Sequence, residues 1–129
     1  LAIAASATRM AAMTPEEHYD RALDAFAGGD LNTAVAEYQK ALELNPAYTD
    51  ALHGLAQAYA QQGRLDDAIA TARRIAAIDP DDVLAHTSLS RFLQQQGKKE
   101  EAEAEANQAR ILGWKQQLKE QKAKQEKSS

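Results

Sequence analysis

The chain has 129 residues, of which 44% are hydrophobic and 5% aromatic, and it contains no cysteine. Disulfides, a thiol nucleophile and a cysteine-type zinc site are therefore excluded. The net charge of −4 is the wrong sign for gripping phosphates, so nucleic acid is not an expected partner.

Residues 1–13, LAIAASATRMAAM, hold one Arg and no acid. Three readings of this segment stand open. It is the second helix of a degenerate preceding unit, since Ala7 falls in phase with Ala41 and Ala109. Alternatively it is a processed leader remnant, since Ala5-Ser6-Ala7 resembles an A-x-A cleavage site, or it is a sticky segment that docks in a groove. A short helix that caps the first copy of the repeat is the favoured expectation. Thr14-Pro15-Glu16-Glu17 then starts a helix: Thr14 caps, Pro15 takes the first helical position, and Glu17 completes a capping box.

From Pro15 onward the chain repeats itself with a constant period. Gly29, Gly63 and Gly97 stand 34 apart, and the same step relates Ala34, Ala68 and Ala102; Ala36, Ala70 and Ala104; and Leu44, Ile78 and Leu112. Pro46 and Pro80 are also 34 apart, and Trp114 stands at the next place in phase. Each copy reads as two helices. Leu52, Leu55, Ala56 and Tyr59 mark the first by their helical spacing, and Leu65, Ala68, Ile69, Ala72, Ile75 and Ile78 mark the second. Glycine closes the first helix and proline stops the second.

These residues make the chain similar to the tetratricopeptide repeat family. The middle copy is the best match, with Leu52, Leu55, Ala56, Tyr59, Gly63, Ala68 and Pro80. The first supplies Ala22, Gly29, Ala34, Tyr38, Ala41 and Pro46 but departs at Arg21. The third supplies Leu89, Gly97, Ala102 and Ala109 but departs at Ser90 and Trp114. The resemblance implies an all-α fold, a right-handed superhelix of stacked antiparallel helix pairs. Its parts are an N-terminal segment (1–13), three units within 14–113 (15–48, 49–82 and 83–113), and a basic capping helix and tail (114–129).

The end of the chain is basic, and the rest is acidic. Residues 115–129 carry 5 Lys against 2 Glu, whereas residues 1–114 carry 10 Lys and Arg against 17 Asp and Glu. A separate capping helix is expected over 114–126, with Trp114 and Leu118 packing on the last copy and Lys115, Lys119 and Lys122 sharing one face. Its apolar face is too small for an interfacial membrane helix, and no run approaches the ~18–20 apolar residues of a membrane span.

Candidate chemistry is sparse. His18, His53 and His86 all fall in first helices. A shared metal would need each nitrogen within about 2.1 Å of one ion, whereas packed helices lie about 8–10 Å apart. They are expected to be ordinary packing or surface residues. Asp79-Pro80-Asp81-Asp82 lacks the alternating ligands and central glycine of a calcium loop and reads as helix capping. The run Lys98-Lys99-Glu100-Glu101 reads as a solvated face. No phosphate loop or nucleophile–base motif occurs, so neither an enzyme nor a cofactor is expected.

The resemblance implies an adaptor that binds a partner peptide or helix in a concave groove lined by the first helices. The residues that match the family's groove positions include Tyr19, Leu23 and Phe26 from the first copy, His53 and Gln57 from the second, and Leu84, Thr87 and Arg91 from the third. Tyr19, Leu23 and Phe26 also fit a core role beneath the N-terminal segment, and both readings stay open. Some relatives clamp acidic chaperone C-termini with Lys, Asn and Arg. Here those places hold Tyr19, Leu23, Gly54, Leu84 and Ser88, which argues against that activity. The alternative function is a structural or self-assembling subunit that uses its alanine-rich ends. The absence of cysteine suits the cytoplasm, with the periplasm as the alternative.

Overall fold

The structure, a computed structural model, describes residues 13–128. Among the described residues there are six helices and no strand. They are α1 (Pro15–Ala27), α2 (Leu31–Leu44), α3 (Thr49–Gln61), α4 (Leu65–Ile78), α5 (Val83–Gln95) and α6 (Lys99–Ser128). They form two compact units, Leu1–Arg64 and Leu65–Ser129, so the division falls between the two helices of the middle copy. The short helix expected within residues 1–13 lies, for residues 1–12, outside the described residues.

In the first unit, α1 packs on α2 and α2 on α3. The Thr14 hydroxyl accepts from the Glu17 N–H at 3.1 Å and satisfies one of the free donors of the first turn. Its own proton points to the Glu17 carboxylate at 3.2 Å, so half of the expected capping box forms. Gly29, at φ +83°, then reverses the chain. The Asp30 N–H reaches back to the Ala25 carbonyl at 2.9 Å, and the Asp30 carboxylate caps α2 through Thr33 N–H at 3.2 Å. Ala22, Ala34 and Ala41 are fully buried. Their missing bulk lets the helices approach, and Tyr38, Leu52 and Leu55 fill the space between.

The second unit repeats the scheme with α4 on α5 and α5 on α6. Gly97, at φ +80°, closes α5, with the Lys98 N–H on the Leu93 carbonyl at 2.9 Å. Ala68, Ala72, Ile75, Ala85, Leu89, Phe92, Leu93 and Ala102 form the core. The acidic cluster does cap: Asp82 accepts from the Ala85 N–H at 3.0 Å, and Asp79 accepts from the Asp81 N–H at 3.1 Å.

The C-terminal segment departs from expectation. No separate helix begins at Trp114, because α6 runs unbroken for 30 residues. Where the first two copies end, Asn45 and Asp79 fold their side chains onto the following backbone ahead of Pro46 and Pro80. The third copy has Gly113 and Trp114 there, so it lacks both the side-chain cap and the proline. Trp114 and Leu118 consequently do not pack as expected; they are 62% and 45% exposed. No described helix is long and apolar enough to cross a membrane.

Candidate functional site: the first-helix faces

The spacing of Tyr19, Leu23 and Phe26 along α1 puts them on one helical face. Leu23 is 42% exposed, while Tyr19 and Phe26 are half-buried. The Tyr19 ring lies 6.0 Å from that of Tyr38 and 5.3 Å from that of Tyr48, so it is a fixed part of an aromatic cluster. Tyr38 is the buried anchor of the group; burial and then Tyr19 push its pKa up to about 12. The cluster depends on Gly54, since a Cβ there would lie 2.3 Å from Tyr38 Cζ.

The rim of this cluster is acidic. Partial burial and then the charges of Asp50 and Asp20 raise the Tyr19 pKa. Tyr48 is raised in the same way by burial, Glu16 and Asp50. The surface therefore combines half-buried rings, one exposed leucine and three carboxylates. His53 and Gln57, one turn apart on α3, are half-buried in the same unit.

In the second unit, Thr87 and Arg91 come together. With Ser90, Gln94, Ala106 and Arg110 they line a shallow concavity of about 350 Å³ between α5 and α6. The Thr87 hydroxyl is turned back to the Val83 carbonyl at 3.0 Å, and the Arg91 guanidinium lies 5.2 Å from the Phe92 ring centre. Leu84 is 65% exposed and lies outside this concavity.

Two features escaped the sequence reading. The Nδ1 of His18 lies 2.7 Å from Glu37 Oε2, and that of His86 lies 2.7 Å from Glu105 Oε2. His86 stands two repeats after His18, and Glu105 two repeats after Glu37. The middle copy carries Leu52 and Thr71 in phase, which hides the pattern from a comparison of neighbouring copies. Turns are also tied across copies. The Gln62 amide donates to Asn32 Oδ1 at 2.8 Å, and one repeat later the Gln96 amide donates to Asp66 Oδ1 at 2.6 Å. These are structural contacts: the His–Glu pairs tie the two helices of one copy together, and the turn contacts tie one copy to the next.

The geometry agrees with the comparisons to known proteins. The family model for the tetratricopeptide repeat matches residues 16–90. That is more than half of the chain, which belongs to this family. Superkiller protein 3 of Schizosaccharomyces pombe is 38% identical over 53 residues, which are 41% of this chain and 4% of that protein. Among solved structures, MamA superposes with a TM-score of 0.80 at 25% identity, covering 81% of this chain and 61% of MamA. The second tetratricopeptide domain of Spaghetti (RPAP3), bound to an HSP90 peptide, superposes with a TM-score of 0.73 at 18% identity. It covers 78% of this chain and 93% of that domain. The chain thus spans about three fifths of MamA and a small part of the yeast protein.

Proposed function

We propose that the chain is a non-catalytic interaction module that takes a partner peptide or helix on its first-helix faces. Leu84, Thr87 and Arg91 contribute in the second unit; the first unit, with Tyr19, Leu23 and Phe26, supplies the specificity. One observation carries the reading: exposed Leu23 sits on a face with the fixed Tyr19 ring, while Asp20 and Asp50 act on that ring. An apolar patch of rigid rings with an acidic rim suits a segment that mixes apolar residues with Lys or Arg. A cation over such a ring adds about 0.5–1 kcal/mol at an exposed site. The same rim repels an acidic peptide, which agrees with the missing clamp residues at Tyr19, Leu23, Gly54, Leu84 and Ser88.

Selection from a random displayed peptide library tests this. Peptides combining Lys or Arg with apolar residues should be enriched. Leu23→Asp and Tyr19→Ala should lose them with helicity unchanged, while Leu44→Asp, at another exposed leucine, should keep them. Enrichment of acidic peptides, or binding indifferent to Leu23 and Tyr19, would count against the reading.

A further inference from the structure

The middle of α6 carries an apolar stripe that the second unit leaves about half exposed. Ile111, Trp114 and Leu118 are 47%, 62% and 45% exposed and share one helical face by their spacing of three and four. Beside the stripe run Lys115, Lys119 and Lys122, spaced four and three. Large exposed apolar side chains rimmed by charge are the usual mark of an interaction surface. Three apolar residues are too few to hold a helix in a lipid interface. The occupant is therefore expected to be a protein face with apolar and acidic groups.

We propose that this stripe docks on α1 of a second copy of the chain. The face of α1 offers the complement: Glu16, Asp20 and Leu23 are all exposed and follow the same spacing of four and three as the three lysines. Charge complementarity picks this occupant. Residues 115–129 carry 5 Lys against 2 Glu, whereas α1 carries Glu16, Glu17, Asp20 and Asp24 against Arg21 alone. Lys115 and Lys119 line a concavity with Asp81, Leu112 and Gln116, whereas α1 of a second copy offers Glu16 and Asp20 together on one exposed face. Trp114 and Leu118 then cover Leu23 and the edge of the Tyr19 ring. The contact joins two different surfaces, so each copy keeps a free head and a free tail, and association grows with concentration. This inference rests on the reading of α1 as the binding face and names its partner.

Sedimentation of the full chain over a range of concentrations, at low and high salt, tests it. Mass should rise above that of the monomer with concentration and fall back with salt. The emission of Trp114, the single tryptophan, should shift to the blue as it becomes covered. The double reversal Lys115→Glu/Lys119→Glu should weaken association on the order of tenfold or more, and so should Glu16→Lys/Asp20→Lys. Mixing the two reversed proteins should restore it. A chain that stays monomeric throughout overturns the proposal, as does association insensitive to both reversals. Binding of anionic phosphatidylserine vesicles by the tail, with the chain still monomeric, also overturns it. If the chain is monomeric while Leu23→Asp still loses the selected peptides, the homotypic contact fails and the binding face stands. If association follows the charge reversals while no peptide depends on Leu23, the binding-face reading fails in its peptide form.

Discussion

His86 is held from both sides: its Nδ1 lies 2.7 Å from Glu105 Oε2 and its Nε2 lies 3.0 Å from the Pro80 carbonyl oxygen. A neutral imidazole has one N–H and can serve one of these acceptors, whereas the protonated ring serves both. Burial works against the charged ring, but the hydrogen bonds to Glu105 and Pro80 outweigh it and raise the His86 pKa, with Asp82 adding to the effect. A folded-state pKa above the unfolded value means protonation favours the fold. The contribution is complete below the unfolded value of about 6.5 and is lost as pH rises through the raised one. Chemical unfolding at a series of pH values should therefore show stability falling as pH rises above the unfolded value of about 6.5. His86→Leu, the residue the middle copy carries in phase at Leu52, should flatten that limb. A variant whose slope equals that of the parent would rule out His86 as its source.

The matching pair in the first copy acts at the other end of the scale. Glu37 is buried, and its hydrogen bond to His18 holds the carboxyl below the usual range; burial opposes the shift and the Lys40 charge assists it. A depressed folded pKa gives stability that is present above the unfolded value and lost as pH falls through the folded one. Glu37→Gln should therefore lower stability at neutral pH and weaken its loss below about pH 4.3. Acid unfolding monitored by circular dichroism measures both. An unchanged acid limb would show that other carboxylates govern it.

Glycine to alanine should cost stability for two separate reasons in this chain. At Gly54 the new methyl would lie 2.3 Å from Tyr38 Cζ. That ring is 2% exposed and held by Tyr19, so it has little room to yield. Overpacking of this kind costs about 1–3 kcal/mol. At Gly63 the added Cβ meets nothing within 4 Å, but φ is +80°, where an L-residue is strained by roughly 1–2 kcal/mol. Urea unfolding of both variants, with Gly63→Asn as a third, separates the causes. Asparagine tolerates the left-handed region and should recover part of the loss at Gly63. A Gly54→Ala protein as stable as the parent would mean that the Tyr38 ring can move.

Where the sequence was readable, its signals were local or strictly periodic. The left-handed glycines Gly29, Gly63 and Gly97, the Thr14 and Asp82 caps and the small buried alanines each announce themselves within one turn or once per repeat. The His–Glu pairs were harder, because Leu52 and Thr71 interrupt them in the middle copy. The Tyr19 cluster depends on Gly54, a residue far from Tyr19 in sequence whose importance comes from what it lacks. The reading of the last helix failed for a different reason. It assumed that a family boundary persists at Trp114, when the stop in the other copies is made by Asn45-Pro46 and Asp79-Pro80.

That failure can be turned into an experiment. If the missing stop is the cause of the long α6, restoring it should shorten the helix. Gly113→Asp with Trp114→Pro rebuilds the Asp79-Pro80 sequence at the corresponding place. Proline removes a backbone donor and clashes with the preceding turn, a cost of about 3 kcal/mol inside a helix. Residues beyond 114 are exposed, so little tertiary packing resists the break. The double variant should lose helical ellipticity equivalent to much of the segment after 114. Amide hydrogen exchange should speed up there, while exchange in α4 and α5 and the unfolding midpoint hold within a few degrees. If the distal segment keeps its protection, forces other than the absent stop maintain the long helix. If the midpoint falls steeply, the distal segment supports the core more than its exposure indicates.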